Sequence, residues 1–168
     1  MSQESKAETP VVLSSAVREE IDQWLAKYPP ERRQSALIAA LRIVQDDNGG
    51  WLSSAHIEAV ATYLEVPPIA AYEVAKFYTM FELAPVGRNK LCVCTNVSCM
   101  LRGSDEVMGH LTKKLGIKAG ETTPDGRFTI KEVECLGACV GAPMMQIGRQ
   151  YHENLTPERI DRILDSLE

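Results

Sequence analysis

The stretch Cys135-Leu136-Gly137-Ala138-Cys139 decides how the second half of this chain is organised. It has a counterpart earlier in the sequence, Cys94-Thr95-Asn96-Val97-Ser98-Cys99, where two more thiols lie close together. Four thiols in two close pairs are enough to enclose one metal centre, provided that the long span between them folds back. The chain is therefore predicted to fold around one site built from both stretches.

Alternating hydrophobic residues around the cysteine pairs predict short strands. Residues 91–94 form a strand that ends at the first pair, and residues 127–133 form a second strand that delivers Cys135. A helix over 103–115 is expected between them. Two further short strands are predicted at 144–147 and 150–153, and a last helix begins at Thr156-Pro157. This order predicts a small α/β domain over residues 89–168.

The sequence before residue 84 has helical periodicity instead. Proline or glycine pairs separate the apolar runs, and four helices are predicted, over residues 16–27, 31–47, from the capping Ser53-Ser54 to Leu64, and over 69–81. Their apolar faces carry enough surface to close a bundle. We therefore predict a disordered tail over 1–13 and a helical domain over 14–83. The predicted fold class is α+β, a helical bundle followed by an α/β domain.

Composition excludes several classes of function. The chain has 168 residues, 45% of them hydrophobic, with a formal net charge of -5 and a pI near 5.3. An acidic chain has no general attraction for nucleic acid or for anionic lipid. Residues 1–9 lack the pattern of a secretory signal, and the longest uncharged run, 135–148, is too short to span a bilayer. No nucleotide-binding or hydrolase motif occurs, so any catalysis must be shared with a partner.

Several chemistries fit the two cysteine pairs. A [2Fe-2S] cluster takes four thiolates, and a structural zinc ion tolerates similar spacings. The spacing favours the cluster slightly and keeps zinc as the alternative, whereas two disulfides fit poorly with the reducing compartment expected here. The fifth cysteine, Cys92, is predicted to be a small packed residue rather than a ligand.

A cluster held by four thiolates is an anion and needs hydrogen-bond donors around it. Glycines near the cysteines allow backbone N–H groups to come close to sulfur, and Gly103, Gly137 and Gly141 are the predicted positions. The helix that follows Cys99 is expected to add its N-terminal dipole.

A specific set of motifs carries a resemblance to a known family. It comprises Cys94-x4-Cys99, then Asp125-Gly126-Arg127-Phe128-Thr129 leading to Glu132-Val133-Glu134-Cys135, then Ala142-Pro143-Met144, with Tyr72-x4-Phe77-Tyr78-Thr79-Met80-Phe81 in the helical part. With these motifs the chain resembles the 24 kDa (E) subunits of NADH:quinone oxidoreductase, respiratory complex I. The resemblance runs over nearly the whole chain from Ser14.

The resemblance implies a thioredoxin-like ferredoxin domain behind a helical domain. It implies one [2Fe-2S] cluster, with ligands that map onto Cys94, Cys99, Cys135 and Cys139, and it favours iron–sulfur well over zinc. It also implies a flavoprotein partner, the F or 51 kDa type subunit, which holds FMN and the NADH site in the peripheral arm on the cytoplasmic side of the inner membrane. The expected role is one-electron transfer. The alternatives are a diaphorase subunit of an NAD-linked hydrogenase or formate dehydrogenase, a free ferredoxin, and a zinc-stabilised interaction module.

Overall fold

The computed structural model describes residues 10–167, which fall into two compact units, one ending at Pro85 and the other beginning at Val86. The first unit is helical, and the second combines a four-stranded sheet with helices, which confirms the predicted α+β class. Residues 1–9 of the predicted tail lie outside the described range. Of its last four residues, Leu13 is buried in the helical core.

Two helices of the first unit begin where the sequence places capping serines. The elements are α1 Ser15–Leu25, a 3-10 helix Pro30–Ala36, α2 Leu37–Asp47, α3 Ser54–Leu64 and α4 Pro68–Phe77. Ser14 accepts a hydrogen bond from the Val17 N–H at the start of α1, and Ser53 does the same for the His56 N–H at the start of α3. Both caps satisfy amides that have no partner inside their helix. The buried faces form one core, in which Ile21, Leu41 and Leu64 are almost fully enclosed.

The predicted helix over 31–47 is wrong in its first third. Residues 30–36 form a 3-10 helix in which Arg32 departs from helical geometry (φ -113°, ψ 33°), and the α-helix begins only at Leu37. The Arg33 guanidinium donates to the carbonyls of Tyr63 and Leu64, at 2.9 and 3.1 Å, and so satisfies acceptors at the C-terminal end of α3. This long-range contact ties the 3-10 segment to the end of α3.

The predicted helix over 69–81 ends earlier, at Phe77. Beyond it the backbone is extended at Tyr78, and the side chain of Gln45 holds the segment that follows. Gln45 Nε2 donates to the Met80 carbonyl at 3.2 Å, and Gln45 Oε1 accepts from the Glu82 N–H at 2.7 Å. A turn follows Tyr78, in which the Phe81 N–H donates to the Tyr78 carbonyl at 3.1 Å. Because Gln45 is buried, its hydrogen bonds supply partners that water does not, and they favour this turn over continuation of the helix.

The sheet of the second unit contains β1 Asn89–Cys94, β2 Phe128–Val133, β3 Met145–Ile147 and β4 Gln150–His152, in the order β2-β1-β3-β4. Strands β1 and β2 are parallel, with Cys94 opposite Val133, whereas β3 runs antiparallel to both β1 and β4. Three helices accompany the sheet: α5 Val97–Leu101, α6 Ser104–Leu115 and α7 Pro157–Ser166. The longer helices α6 and α7 cover a core that includes Leu91, Leu111 and Ile160.

The chain enters β1 through a tightly packed glycine. A Cβ atom on Gly87 would lie 2.8 Å from the carbonyl carbon of Phe128 and 2.9 Å from its nitrogen. The Gly87 N–H donates to Thr129 Oγ1 at 2.7 Å, and the same hydroxyl lies 2.7 Å from Thr122 Oγ1. Thr129 is therefore buried, although the sequence pattern of β2 predicts a solvated face there.

An ion-pair group links the exposed sides of α6 and α7. Asp161 Oδ1 lies 2.7 Å from His110 Nε2 and 3.0 Å from Lys114 Nζ. Hydrogen bonds from His110 and Lys114 hold the pKa of Asp161 below its usual value, and the Asp161 carboxylate raises the pKa of Lys114.

Within residues 10–167, no helix combines the length and the apolarity that a bilayer crossing needs.

Candidate metal centre

Parallel pairing brings two of the four predicted ligands to one edge of the sheet. Cys94 is the last residue of β1, and Cys135 follows two positions after the end of β2. Since neighbouring parallel strands end at the same edge, both cysteines emerge there. The strands stay paired to this point, because the Thr95 N–H donates to the Val133 carbonyl at 3.2 Å. Cys94 Sγ also lies 3.8 Å from the Glu134 carbonyl, which directly precedes Cys135.

The other two cysteines lie on the loops that follow these strands. Cys99 is in the middle of α5, a helix of five residues whose first turn is capped by the Asn96 side chain at 2.8 Å from the Val97 N–H. Cys139 begins a 3-10 turn that ends at Gly141. The structure therefore places Cys94, Cys99, Cys135 and Cys139 on strand ends and loops at one edge of one unit.

The four thiols differ in their access to water. Cys94 and Cys99 are 4% and 1% exposed, whereas Cys135 and Cys139 are exposed. The two buried cysteines pack with Ala142 and Met144 in a small apolar cluster of their own, separate from the main core of the sheet. Met144 is also bound through its backbone, since its carbonyl accepts from the Cys94 N–H at 3.2 Å. The inner half of the site, with Cys94 and Cys99, is therefore shielded from water, and the outer half, with Cys135 and Cys139, is exposed to it.

Burial changes the acidity of Cys99, one of the two inner thiols. It raises the pKa of Cys99 to about 11, and the hydrogen bond and charge of Cys94 and the charge of Cys139 act in the same direction. The Met144 N–H opposes this rise by donating to the Cys99 sulfur. Without a metal the inner thiol therefore keeps its proton at neutral pH. A bound cation favours the thiolate instead, so metal binding releases protons from these groups.

The donor chemistry fits the predicted centre. Four sulfur donors at one edge are typical of an iron–sulfur cluster or a tetrahedral zinc ion. Among residues 10–167, no three His, Cys, Asp or Glu side chains lie close enough together to hold a metal ion. The structure brings the four cysteines to one region, and their assignment as ligands stays a prediction. Cys92, half-buried within β1 opposite Lys131, has a different environment.

The N–H groups of the three glycines predicted near the cysteines differ in their acceptors. The Gly137 N–H lies 3.4 Å from Cys135 Sγ. The N–H groups of Gly141 and Gly103 instead donate to the carbonyls of Ala138 and Met100, at 3.0 and 3.1 Å. They are used within tight turns, where the local carbonyl is the nearer acceptor.

The predicted helix over residues 103–115 is confirmed as α6, whereas the short helix before it was not predicted. The short helix α5 contains Cys99, and α6 starts only at Ser104 after a turn through Gly103, where φ is 95°. Five residues are too few for a recognisable helical period. The signals that could have revealed α5 are the capping Asn96 before it and the turn-forming Gly103 after it.

Exposed apolar side chains neighbour Cys99 and Cys139 along the chain, and the sequence pattern did not reveal their exposure. They are Val97, Met100 and Leu101 on α5 and Val140 next to Cys139, and we call them the apolar rim. Their exposed fractions run from 48% at Met100 to 97% at Val140. Apolar side chains grouped beside an open site are typical of a surface that contacts another molecule.

Comparison with known proteins gives consistent matches. The family model described as thioredoxin-like [2Fe-2S] ferredoxin matches residues 21–168. The E-type subunit of NADH-quinone oxidoreductase from Rickettsia bellii is 53% identical over 143 residues, which are 85% of this chain and 86% of that protein. The mitochondrial protein NADH dehydrogenase [ubiquinone] flavoprotein 2 of Dictyostelium discoideum is 50% identical over 147 residues, covering 88% of this chain and 60% of its own length.

A solved structure also has a similar fold. The crystal structure of an NAD+-reducing [NiFe]-hydrogenase in the H2-reduced state matches 77% of this chain with a TM-score of 0.67 and 25% sequence identity. This chain spans only 21% of that hydrogenase chain. The same fold therefore occurs there as one segment of a much longer polypeptide.

Proposed function

This chain belongs to the thioredoxin-like [2Fe-2S] ferredoxin family, and we propose that it is an electron-transfer subunit of an NADH-quinone oxidoreductase that holds one [2Fe-2S] cluster. The observation that carries the proposal is the meeting of two cysteine pairs at one edge of the sheet, half buried and half exposed. As a subunit of an oxidoreductase, the chain contributes an electron carrier rather than a complete active site.

The four cysteines have different tasks in this proposal. Cys94, Cys99, Cys135 and Cys139 hold the cluster, which when bound accepts and returns one electron at a time. Cys94 and Cys99 keep the inner side away from water, together with Met144. The Gly137 N–H, near the Cys135 sulfur, favours the thiolate form of that ligand. The outer pair leaves one side open for electron exchange.

The proposed partner is the flavoprotein subunit of the F or 51 kDa type, which holds FMN and the NADH site. The absence of a nucleotide motif in this sequence supports a division of labour between two chains. The apolar rim supports a protein contact at the open side, because the partner that covers it also approaches the exposed cysteines. We place the chain on the cytoplasmic side, peripheral to the inner membrane through the complex.

The decisive test is the content of the purified chain. Anaerobic preparation should give a brown protein with two irons and two sulfides per chain and a spin-half EPR signal after dithionite reduction, the values of one [2Fe-2S] cluster. Replacing Cys94, Cys99, Cys135 or Cys139 by Ser should remove or alter this signal. Cys92→Ser is the matched control and should keep it. A colourless protein with one zinc ion per chain would overturn the proposal.

A second candidate is the diaphorase subunit of an NAD-linked hydrogenase, favoured by the similar fold within the hydrogenase structure. The two candidates differ in the proteins that accompany the chain. Mild purification of the tagged chain from its own host should recover membrane subunits with NADH–quinone reductase activity. Recovery of a hydrogen-oxidising subunit in their place would favour the second candidate.

A further inference from the structure

An acidic side chain lies directly against the loop that carries Cys139. A Cβ atom built on Gly141 would overlap the carboxyl carbon of Glu153 and would come within 2.6 Å of its Cβ and Cγ atoms. The Glu153 side chain therefore packs against Gly141, in space that a side chain at position 141 would occupy. Gly141 is buried and ends the 3-10 turn that Cys139 begins, so the contact lies two residues from a proposed ligand.

Backbone hydrogen bonds keep Glu153 in this place. The Asn154 N–H donates to the Gly141 carbonyl at 2.6 Å, and the Leu155 N–H donates to the Pro143 carbonyl at 3.0 Å. Asn154 adopts a left-handed conformation (φ 49°), which turns the chain immediately after Glu153. The segment 153–155 and the loop 141–143 thus form one tied unit, which keeps the backbone of Glu153 beside the loop that carries Cys139.

The charge of Glu153 is weakly compensated at this position. The side chain is half-buried, and within residues 10–167 no Lys, Arg or His side chain forms an ion pair with it. Arg159 is the nearby cation whose charge acts on the neighbouring His152. A half-buried carboxylate is screened less by water and salt than an exposed one, so its field reaches adjacent groups.

On the basis of the proposed function, we propose that Glu153 sets the reduction potential of the cluster by holding a negative charge against the Cys139 loop. Reduction adds one electron to one ferric ion and makes an anionic centre more negative, with no bond broken and no proton transferred. A fixed carboxylate beside the site disfavours this extra charge and keeps the potential low, since net charge is among the determinants of cluster potential. The inference extends the proposed function from the ligands to a residue outside the proposed ligand set.

The test is an EPR-monitored redox titration of the full chain, purified with the partners that accompany it. Glu153→Gln keeps the size and shape of the side chain and removes its charge, so the midpoint potential should shift to a more positive value. Glu153→Asp keeps the charge and should stay close to wild type. Asp165→Asn is the distant control, because it removes the same charge near the C-terminal end of α7 and should cause no shift.

Each outcome distinguishes an effect of the Glu153 charge from a structural role of the Glu153 side chain. An unchanged or more negative potential in Glu153→Gln, or equal shifts in the Gln and Asp variants, would overturn the inference. Glu153→Ala provides a second uncharged variant, and loss of the cluster in both uncharged variants would show a structural role instead. If the wild-type chain itself has no [2Fe-2S] signal, the proposed function fails. A normal wild-type signal with unshifted variants refutes only the role of Glu153.

Discussion

Two glycine-to-alanine substitutions in the sheet unit should change stability in opposite directions. At Gly87 a new methyl group would meet the backbone of β2, with the carbonyl carbon of Phe128 at 2.8 Å and its nitrogen at 2.9 Å. Backbone atoms cannot rotate away as a side chain can. At Gly109, which is exposed on helix α6, nothing lies within 4 Å of the added atom.

The magnitudes follow from these surroundings. Overpacking against a fixed neighbour costs roughly 1–3 kcal/mol. Displacing Gly87 also weakens the bond from its N–H to Thr129 Oγ1, worth about 0.5–1.5 kcal/mol. We therefore expect Gly87→Ala to lower the free energy of unfolding by about 2–4 kcal/mol. Gly109→Ala should raise it by about 0.5–1 kcal/mol, because alanine replaces glycine in a helix interior.

Urea denaturation followed by far-UV circular dichroism measures both changes under identical conditions. Both tryptophans, Trp24 and Trp51, lie in the helical unit, so their fluorescence reports that unit separately. Separate transitions for the two units should be fitted individually. A loss below about 0.5 kcal/mol in Gly87→Ala would refute the close approach to β2. Destabilisation by Gly109→Ala would refute the open surroundings of that site.

Three further predictions concern other contacts. Gln45→Leu removes two hydrogen bonds from the segment after α4 and should lower the stability of the helical unit by about 2–3 kcal/mol in tryptophan-monitored urea titrations; a change near zero would contradict a stabilising role of these two bonds. Met144→Asn places a polar group beside the inner cysteines and should raise the cluster potential, while Met145→Leu, in the sheet core, should leave it unchanged. Asp161 has a lowered pKa, so its ion pairs stabilise the fold above about pH 4 and lose this effect as the pH falls through the lowered value. Asp161→Asn should therefore flatten the acid side of the stability curve, and a curve parallel to wild type would disprove this contribution.

Local signals predicted the parts of the fold that depend on neighbouring residues. Ser14 and Ser53 mark helix starts because a hydroxyl satisfies amides only three residues away. The strand patterns around Cys94 and Cys135 predict that each cysteine pair begins at the end of a strand. The parallel pairing of these strands, which brings both ends to one sheet edge, was found only in the structure.

Contacts between residues distant in sequence account for most of the errors. The 3-10 helix depends on Arg33 reaching carbonyls about thirty residues later, and the early end of α4 depends on a side chain from α2. Likewise, no local pattern indicates that Gly141 must lack a side chain to admit Glu153. In each case a side chain far along the sequence supplies the hydrogen bond or the volume that decides the local conformation.

The order of the sheet has a consequence for biosynthesis. Strand β1 lies between β2 and β3, and both of these neighbours are translated after it. Cys135 follows Cys99 by 36 positions, which at roughly 5–20 residues per second corresponds to a delay of about 2–7 s on the ribosome. During this interval the nascent chain carries one thiol pair without its strand partners. With the proposed ligand set, cluster assembly is completed only after Cys139 has been synthesised, late in the biosynthesis of this chain.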